Sequence, residues 1–395
     1  MKHIFTFLVF FLIISACQKD FIQSTEPCTP DISFAINANH PKAARITALI
    51  DDYIAWGIPG LTVLIHDAHG FWIASRGYAD LETGIAMQPC HINKLGSITK
   101  LMIGTLVWQL IQEGKLEINA PISRYIPDAA SKITNGNDIT LGMLVDHTSG
   151  IYDISRDLGY NLAVVNDFTR SWTDKEILAY VANKPATNDP GEEVNYSNSN
   201  TMLIGMIIEE VTGKSHAEVL EEYLFMPLDM RSTYYYNYSE PFPTRLLAQG
   251  YLDFNNDGGA IQNISSLNPG SGNGYTGVYS TVTDMYKYMD ALMLRKTLIS
   301  PDNLETIFSS LRSTSEGKWQ SSLGAIHRES IDILPDSVVA YGHGGGDIGY
   351  SANLIYFPHN ETIYSATFNY GTNMPTALGD ELDKLRKELL LIVSE

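Results

Sequence analysis

The sequence predicts an α/β chain of the α+β type. In it a mainly antiparallel sheet is built from both chain ends and flanked by helices, with a large helical lobe inserted between the two halves. Three observations carry this expectation. Residues 60–79 hold two apolar, β-branched runs around a short turn, and residues 350–370 hold a second such pair. Between them, segments with helical spacing dominate. The 395 residues, 44% hydrophobic and 18% charged, suffice for one large core or two intertwined lobes.

In chain order, the opening "MKHIFTFLVFFLIISACQKD" has a short basic start, an apolar stretch from Ile4 to Ile14 and then small residues. It is too short for a spanning helix of about 20 residues and fits a secretory signal over 1–16. The end, Ile14-Ser15-Ala16-Cys17, resembles a bacterial lipobox, in which the cysteine becomes the lipidated first residue; a plain signal peptide with an incidental cysteine is the alternative. Lipidation at Cys17 implies a membrane partner through the anchor and a cell-envelope location. The "QKD" that follows resembles a surface-export tag. Residues 17–40 read as linker, and 41–395 as the globular domain. Cys28 and Cys90 remain, as a pair that could bridge in an oxidising envelope or as two free thiols. The cysteines share no CxxC spacing, so no metal site is expected from them.

From residue 43, "AARITALIDDYIAWG" has helical spacing and stops at Gly57. The 60–79 hairpin turns at Ala68-His69-Gly70. A helix follows from Ser97, with no Asp, Glu, Lys or Arg from Leu101 to Gln112, and is expected to end at Gly114. The lobe, about 115–270, contains the capping box of Thr173 and Glu176 and an apolar helix stopped at Gly213. The "GKS" at 213–215 is no phosphate loop, because position 208 is Ile and no strand precedes it. The last strands turn at Pro358-His359-Asn360. A final helix with Leu378, Leu382, Leu385 and Leu389 on one face is expected to pack on the sheet.

A formal net charge of -19 with no basic run excludes nucleic acid as a natural partner. No G-x-S-x-G elbow occurs, which argues against an α/β-hydrolase. Ser97 and Lys100 stand three apart at the mouth of the apolar helix and so share a face. Orphan N–H groups there favour developing negative charge, and poor hydration lowers a lysine pKa, so a neutral Lys100 could take the Ser97 proton. The pattern is loose; Ser315 and Lys318 form a second copy without an apolar helix behind it. In Tyr196-Ser197-Asn198, a phenol near a lysine could have a depressed pKa and shuttle protons, and the asparagine could hold a substrate amide. His343 precedes Gly344, Gly345 and Gly346, where consecutive glycines admit a close backbone and present N–H donors; a flexible turn is the alternative.

Ser97-x-x-Lys100, Tyr196-x-Asn198 and His343-x-Gly345, in this order, resemble the motifs of the penicillin-recognising serine hydrolases: class C β-lactamases, D-alanyl-D-alanine carboxypeptidases and related esterases. The flanks "ADLETGIAMQP", "LGMLVDHTSGIYD", "PGEEVNYSNSN" and "GYTGVYSTVTDMYKYMDAL" are similar too, so the likeness covers about 41–390. It implies Ser97 as acylated nucleophile, Lys100 and Tyr196 as proton managers and Asn198 as substrate holder. The N–H groups of Ser97 and Gly346 would form an oxyanion hole, and His147 to Gly150 a structural turn. It implies no cofactor and no metal. His343 and Gly344 depart from the Lys-Thr that many members carry before this glycine. A histidine near its ordinary pKa of about 6.5 is only partly charged at neutral pH, which weakens the grip on a substrate carboxylate. The resemblance implies an envelope serine hydrolase, foremost a D-alanyl-D-alanine carboxypeptidase-type peptidase. Alternatives are an esterase or amidase, a weak β-lactamase, or a catalytically retired scaffold lipoprotein. Its substrate would be a D-amino-acid peptide, a β-lactam or a small ester.

Overall fold

The computed structural model describes residues 24–30, 32, 34–167, 170–236, 244–256, 260–267, 272–314, 319–329, 338–372 and 375–395. The expected signal segment with Cys17, and the second Ser-x-x-Lys copy at Ser315 and Lys318, lie outside them. Among the described residues no helix is long and apolar enough to cross a membrane.

Nine antiparallel strands form the main sheet: β1 (Gly60–Asp67), β2 (Gly70–Asp80), β3 (Ile85–Ala86), β4 (Arg312–Ser313), β5 (Trp319–Ser321), β6 (His327–Glu329), β7 (Ala340–Asp347), β8 (Tyr350–Phe357) and β9 (Thr362–Phe368). Their order is β3-β2-β1-β9-β8-β7-β6-β5-β4, so the chain ends meet where β1 pairs β9, with Leu61 opposite Phe368 and Val63 opposite Ala366. Both expected hairpins are present, with their turns where the sequence places them.

Alternation along the strands divides the core. Leu61, Val63 and Ile65 of β1 face the first and last helices, while Leu64 faces the lobe. The first helix (Ala43–Trp56) buries Ile46, Ile50 and Tyr53 and stops at Gly57, whose φ of 120° suits glycine. In the last helix (Ala377–Ser394), Leu382, Leu385 and Leu389 are fully buried, each contributing roughly 1.5–3 kcal/mol. On the other face runs the central helix (Ile98–Gln112), buried on all sides from Ile98 to Trp108. It ends at Gln112, with Glu113 as the C-cap and Gly114, the expected stop, in the left-handed conformation two residues beyond the last helical one. The lobe is helical and loop-rich as expected. The Thr173–Glu176 capping box forms, and the helix Asn198–Thr212 stops at left-handed Gly213.

Cys28 and Cys90 are bonded, deciding between the two cysteine alternatives. The bridge closes a separation of 62 residues, so chain entropy predicts stabilisation of about 4 kcal/mol. Backbone bonds also dock the linker, Glu26 N–H to Arg245 O at 2.8 Å among them, so the linker keeps some order without the bridge. Cys90→Ser is therefore expected to lower unfolding stability by roughly 2–4 kcal/mol. Denaturation with and without reductant measures this; identical midpoints would show that the bridge carries no stability.

Candidate active site

The three motifs meet at the N-terminus of the central helix, between sheet and lobe. Ser97 is the helix N-cap, but its side chain makes no capping bond, which leaves the hydroxyl available. Gly96 before it has φ 52°, and an added Cβ there would come within 2.5 Å of Gly346 O. At Gly345 an added Cβ would lie 1.9 Å from Leu95 O. The Leu95–Gly96 backbone thus lies directly on β7, and glycine is required on both sides of the contact. The glycine run is a strand and not a flexible turn. What approaches Gly345 is the chain's own backbone, so Gly345 sets the spacing of the site where the sequence reading has it admit a substrate. Gly346 lines the cleft beside Ser97.

Lys100 is 1% exposed, and its Nζ lies 3.1 Å from Ser97 Oγ and 2.8 Å from Tyr275 O. Burial lowers its pKa to about 7, outweighing the opposite pull of Asp153 and Asp347. A neutral Lys100 that donates one N–H to the Tyr275 carbonyl keeps a lone pair for the serine O–H.

Tyr196 sits with its ring centroid 5.0 Å from Lys100 Nζ, and its buried hydroxyl has no partner at good hydrogen-bond geometry. Burial pushes its pKa well up; nearby Ser97 opposes this only weakly, and Asp153 and Glu329 add to the rise. The expectation of a depressed phenol is therefore reversed, because enclosure outweighs the one neighbouring amine. Lys100 is the better base, and Tyr196 stays a phenol.

Asn198 opens the lobe helix Asn198–Thr212. Its N–H and Nδ2 donate to Asp153 Oδ1 at 3.1 and 3.3 Å. A carboxylate only accepts, so this contact assigns the amide nitrogen to Asp153 and leaves Oδ1, with the second Nδ2 hydrogen, as what Asn198 can offer. His147, with φ 62°, braces the same loop. Its Nδ1 accepts from Ser197 N–H at 3.3 Å and Asn200 Nδ2 at 3.1 Å, and its ring lies 4.5 Å from that of Tyr196. This is the structural role expected of the turn.

His343 lies on β7, 5% exposed, with its ring 4.0 Å from His327 and 6.2 Å from Tyr196. Burial, reinforced by Lys100, lowers its pKa to about 3. The sequence reading of a partly charged histidine is corrected: the ring is neutral, and it does not line the cleft.

That cleft encloses about 770 Å³ and is bounded by Ser97, Asp153, Tyr160, Tyr196, Asn198 and Asp347 among others. Sequence reasoning missed Asp153, Asp347, the Tyr275 carbonyl and a second buried lysine, Lys94, whose Nζ donates to Leu267 O at 3.0 Å. Only Asp153 left a signal: Asp-x-Ser in "YDIS" fits an N-cap, and its side chain does accept from Ser155 N–H.

One group of possible metal ligands occurs among the described residues, Asp174, Glu209 and His216, with donor atoms within 4.8 Å of one another. His216 Nδ1 is 2.7 Å from Glu209 Oε1, and Nε2 is 3.0 Å from Gly272 O. Burial opposes the ring's charge, yet Glu209 overcomes it and raises the pKa. With both nitrogens engaged, the trio reads as an internal ion pair.

The family model described as Beta-lactamase matches residues 46–386. The teichoic acid D-alanine hydrolase of Staphylococcus aureus is 31% identical over 270 residues, 67% of this chain and 61% of that protein. The chain thus spans less than two thirds of that relative's length. Among solved structures, a D-stereospecific amidohydrolase from Streptomyces sp. is similar with TM-score 0.71 and 25% identity, covering 83% of this chain and 94% of that one. The D-amino acid amidase of Ochrobactrum anthropi SV3 shares the fold with TM-score 0.78 at 22% identity, covering 89% and 98%.

Proposed function

The chain belongs to the Beta-lactamase family, and on that premise we propose that it is a serine hydrolase that cleaves small amides or esters through an acyl-enzyme at Ser97. One observation carries the reading: Lys100 Nζ lies 3.1 Å from Ser97 Oγ with its pKa lowered to about 7. Lys100 takes the Ser97 proton as Oγ attacks the substrate carbonyl. The oxyanion faces the N–H groups of Ser97 and Gly346, and the proton passes from Lys100, with the Tyr196 hydroxyl alongside, to the leaving amine or alkoxide. Water then attacks the acyl-enzyme, its proton taken by Lys100 and passed on to Ser97 Oγ as the Oγ–acyl bond breaks and the acid product leaves.

Within this class we favour amidase or esterase action over a D-alanyl-D-alanine carboxypeptidase. A peptidase of that kind must bind a terminal carboxylate, whereas His343 is neutral and no lysine, arginine or histidine is among the described residues that line the cleft. The names of the similar proteins, an amidohydrolase, an amidase and a D-alanine hydrolase, support the same choice.

Mass spectrometry after fluorophosphonate treatment is expected to find the adduct on Ser97; a folded protein left unmodified by both fluorophosphonate and penicillin would sink the proposal. Because the competent form of Lys100 is the neutral one, kcat/KM for a neutral nitrophenyl ester is expected to rise about tenfold per pH unit below pH 7 and level off above it. A flat profile between pH 5.5 and 8.5, on the order of three units, would remove Lys100 as the base.

A further inference from the structure

We propose that this cleft selects acyl groups that carry a free protonated amine, as in an aminoacyl amide or ester, and that the Asp347 carboxylate and the Asn198 carbonyl oxygen receive that amine. The inference rests on the reading of Ser97 as the acylated residue and specifies what it accepts. Among the described residues lining the cleft there is no lysine, arginine or histidine. Lys100 lies behind Ser97, 1% exposed, with one N–H on Tyr275 O. His343 is off the lining, and among the described residues no cationic side chain opens on the cavity to meet a substrate carboxylate.

The acceptors, by contrast, do open on it. Asp347 ends β7, one residue after Gly346, and the only hydrogen bond its side chain accepts among the described residues is from Ile348 N–H to Oδ1 at 2.7 Å. No described cation lies within ion-pairing distance of Asp347; Lys94, its own Nζ donating to Leu267 O, and Lys100 act on it only from farther off. Burial pushes the Asp347 carboxyl up, so it is a group a cationic partner would suit. Asp153, 7% exposed, also lines the cleft and holds the Asn198 amide nitrogen, so Asn198 has Oδ1 to present. An α-amine is two bonds from the carbonyl carbon that Ser97 attacks. An acceptor for it must share the cleft with Ser97, and Asn198 and Asp347 both line that cleft. A charged hydrogen bond at a half-buried site discriminates on the order of tenfold or more.

The test compares D-alaninamide and D-alanine methyl ester with their N-acetyl counterparts at pH 7, reading release of alanine or acetylalanine as kcat/KM. The free amines are expected to be preferred about tenfold or more in the wild-type protein, and the ratio to fall towards one in Asp347→Asn. A ratio is insensitive to a general loss of activity; if that variant does not fold, the wild-type ratio decides alone. Equal or better turnover of the acetylated compounds, a preference that persists in Asp347→Asn, or nitrophenyl acetate hydrolysis with none of the four accepted would each overturn the inference and leave the serine-hydrolase reading standing. Absence of all turnover together with no adduct on Ser97 would instead remove the reading on which it rests.

Discussion

Ser97→Ala is expected to lower kcat at least about 10⁴-fold while the protein melts within a few degrees of the wild type. The two halves of this expectation have separate causes. Among the described residues this hydroxyl is the one placed to form the acyl bond, since Lys100 Nζ meets it at 3.1 Å and the cleft opens on it. It makes no helix-capping bond, however, so its removal costs the fold little. Lys100→Met should cost roughly 10²–10⁴ in kcat by removing the base, again without unfolding the protein. It keeps most of the volume and takes a buried amine away, although it leaves the Tyr275 carbonyl without its donor. Lys100→Arg should be no better, because a guanidinium stays charged at this burial and cannot accept the serine proton. Steady-state kinetics beside thermal melts separates the effects. Turnover by Ser97→Ala within tenfold of the wild type would show that another group carries the chemistry.

The legible part of this protein was what local pattern determines. Apolar, β-branched runs around short turns marked β1, β2, β8 and β9, and the charge-free run after Lys100 marked a helix buried on all sides. That run also foretold the lysine's depressed pKa, because a helix without charged residues along its length is one that buries its start. The signals failed where tertiary contact decides. Nothing near Tyr196 in the sequence shows that β6, with His327 and Glu329, closes over its ring, so the phenol's pKa came out on the wrong side. His343 reads as a titrating residue until the tilted ring of His327 packs on it at 4.0 Å and burial takes it out of water. Asp347 sits at a strand end that sequence alone reads as a glycine-rich turn. The short strands β4, β5 and β6, two or three residues each, are too brief for a period of two to be visible.

Gly345→Ala is expected to damage stability and activity together, although it adds one methyl group. That methyl would lie 1.9 Å from Leu95 O, a backbone atom with no side chain to swing aside. Either β7 or the Leu95–Gly96 segment must retreat by about 1 Å or more. Overpacking of this kind costs typically 1–3 kcal/mol. The displaced segments are the two that frame the site: one leads into Ser97 two residues later, and the other carries Gly346. A 1 Å error between nucleophile and anion-binding N–H groups is worth on the order of 10² in rate. Gly344→Ala is the matched control, with the same chemistry on the same strand. Its Cβ would meet Arg386 Nη2 at 3.3 Å, the far end of a flexible side chain, so little change is expected in melting temperature or kcat. If the glycines served only as a pliable linker, the two substitutions would behave alike. A large loss at 345 beside a small one at 344 instead requires that the spacing between β7 and the start of the central helix be what holds Ser97 in register with its anion pocket.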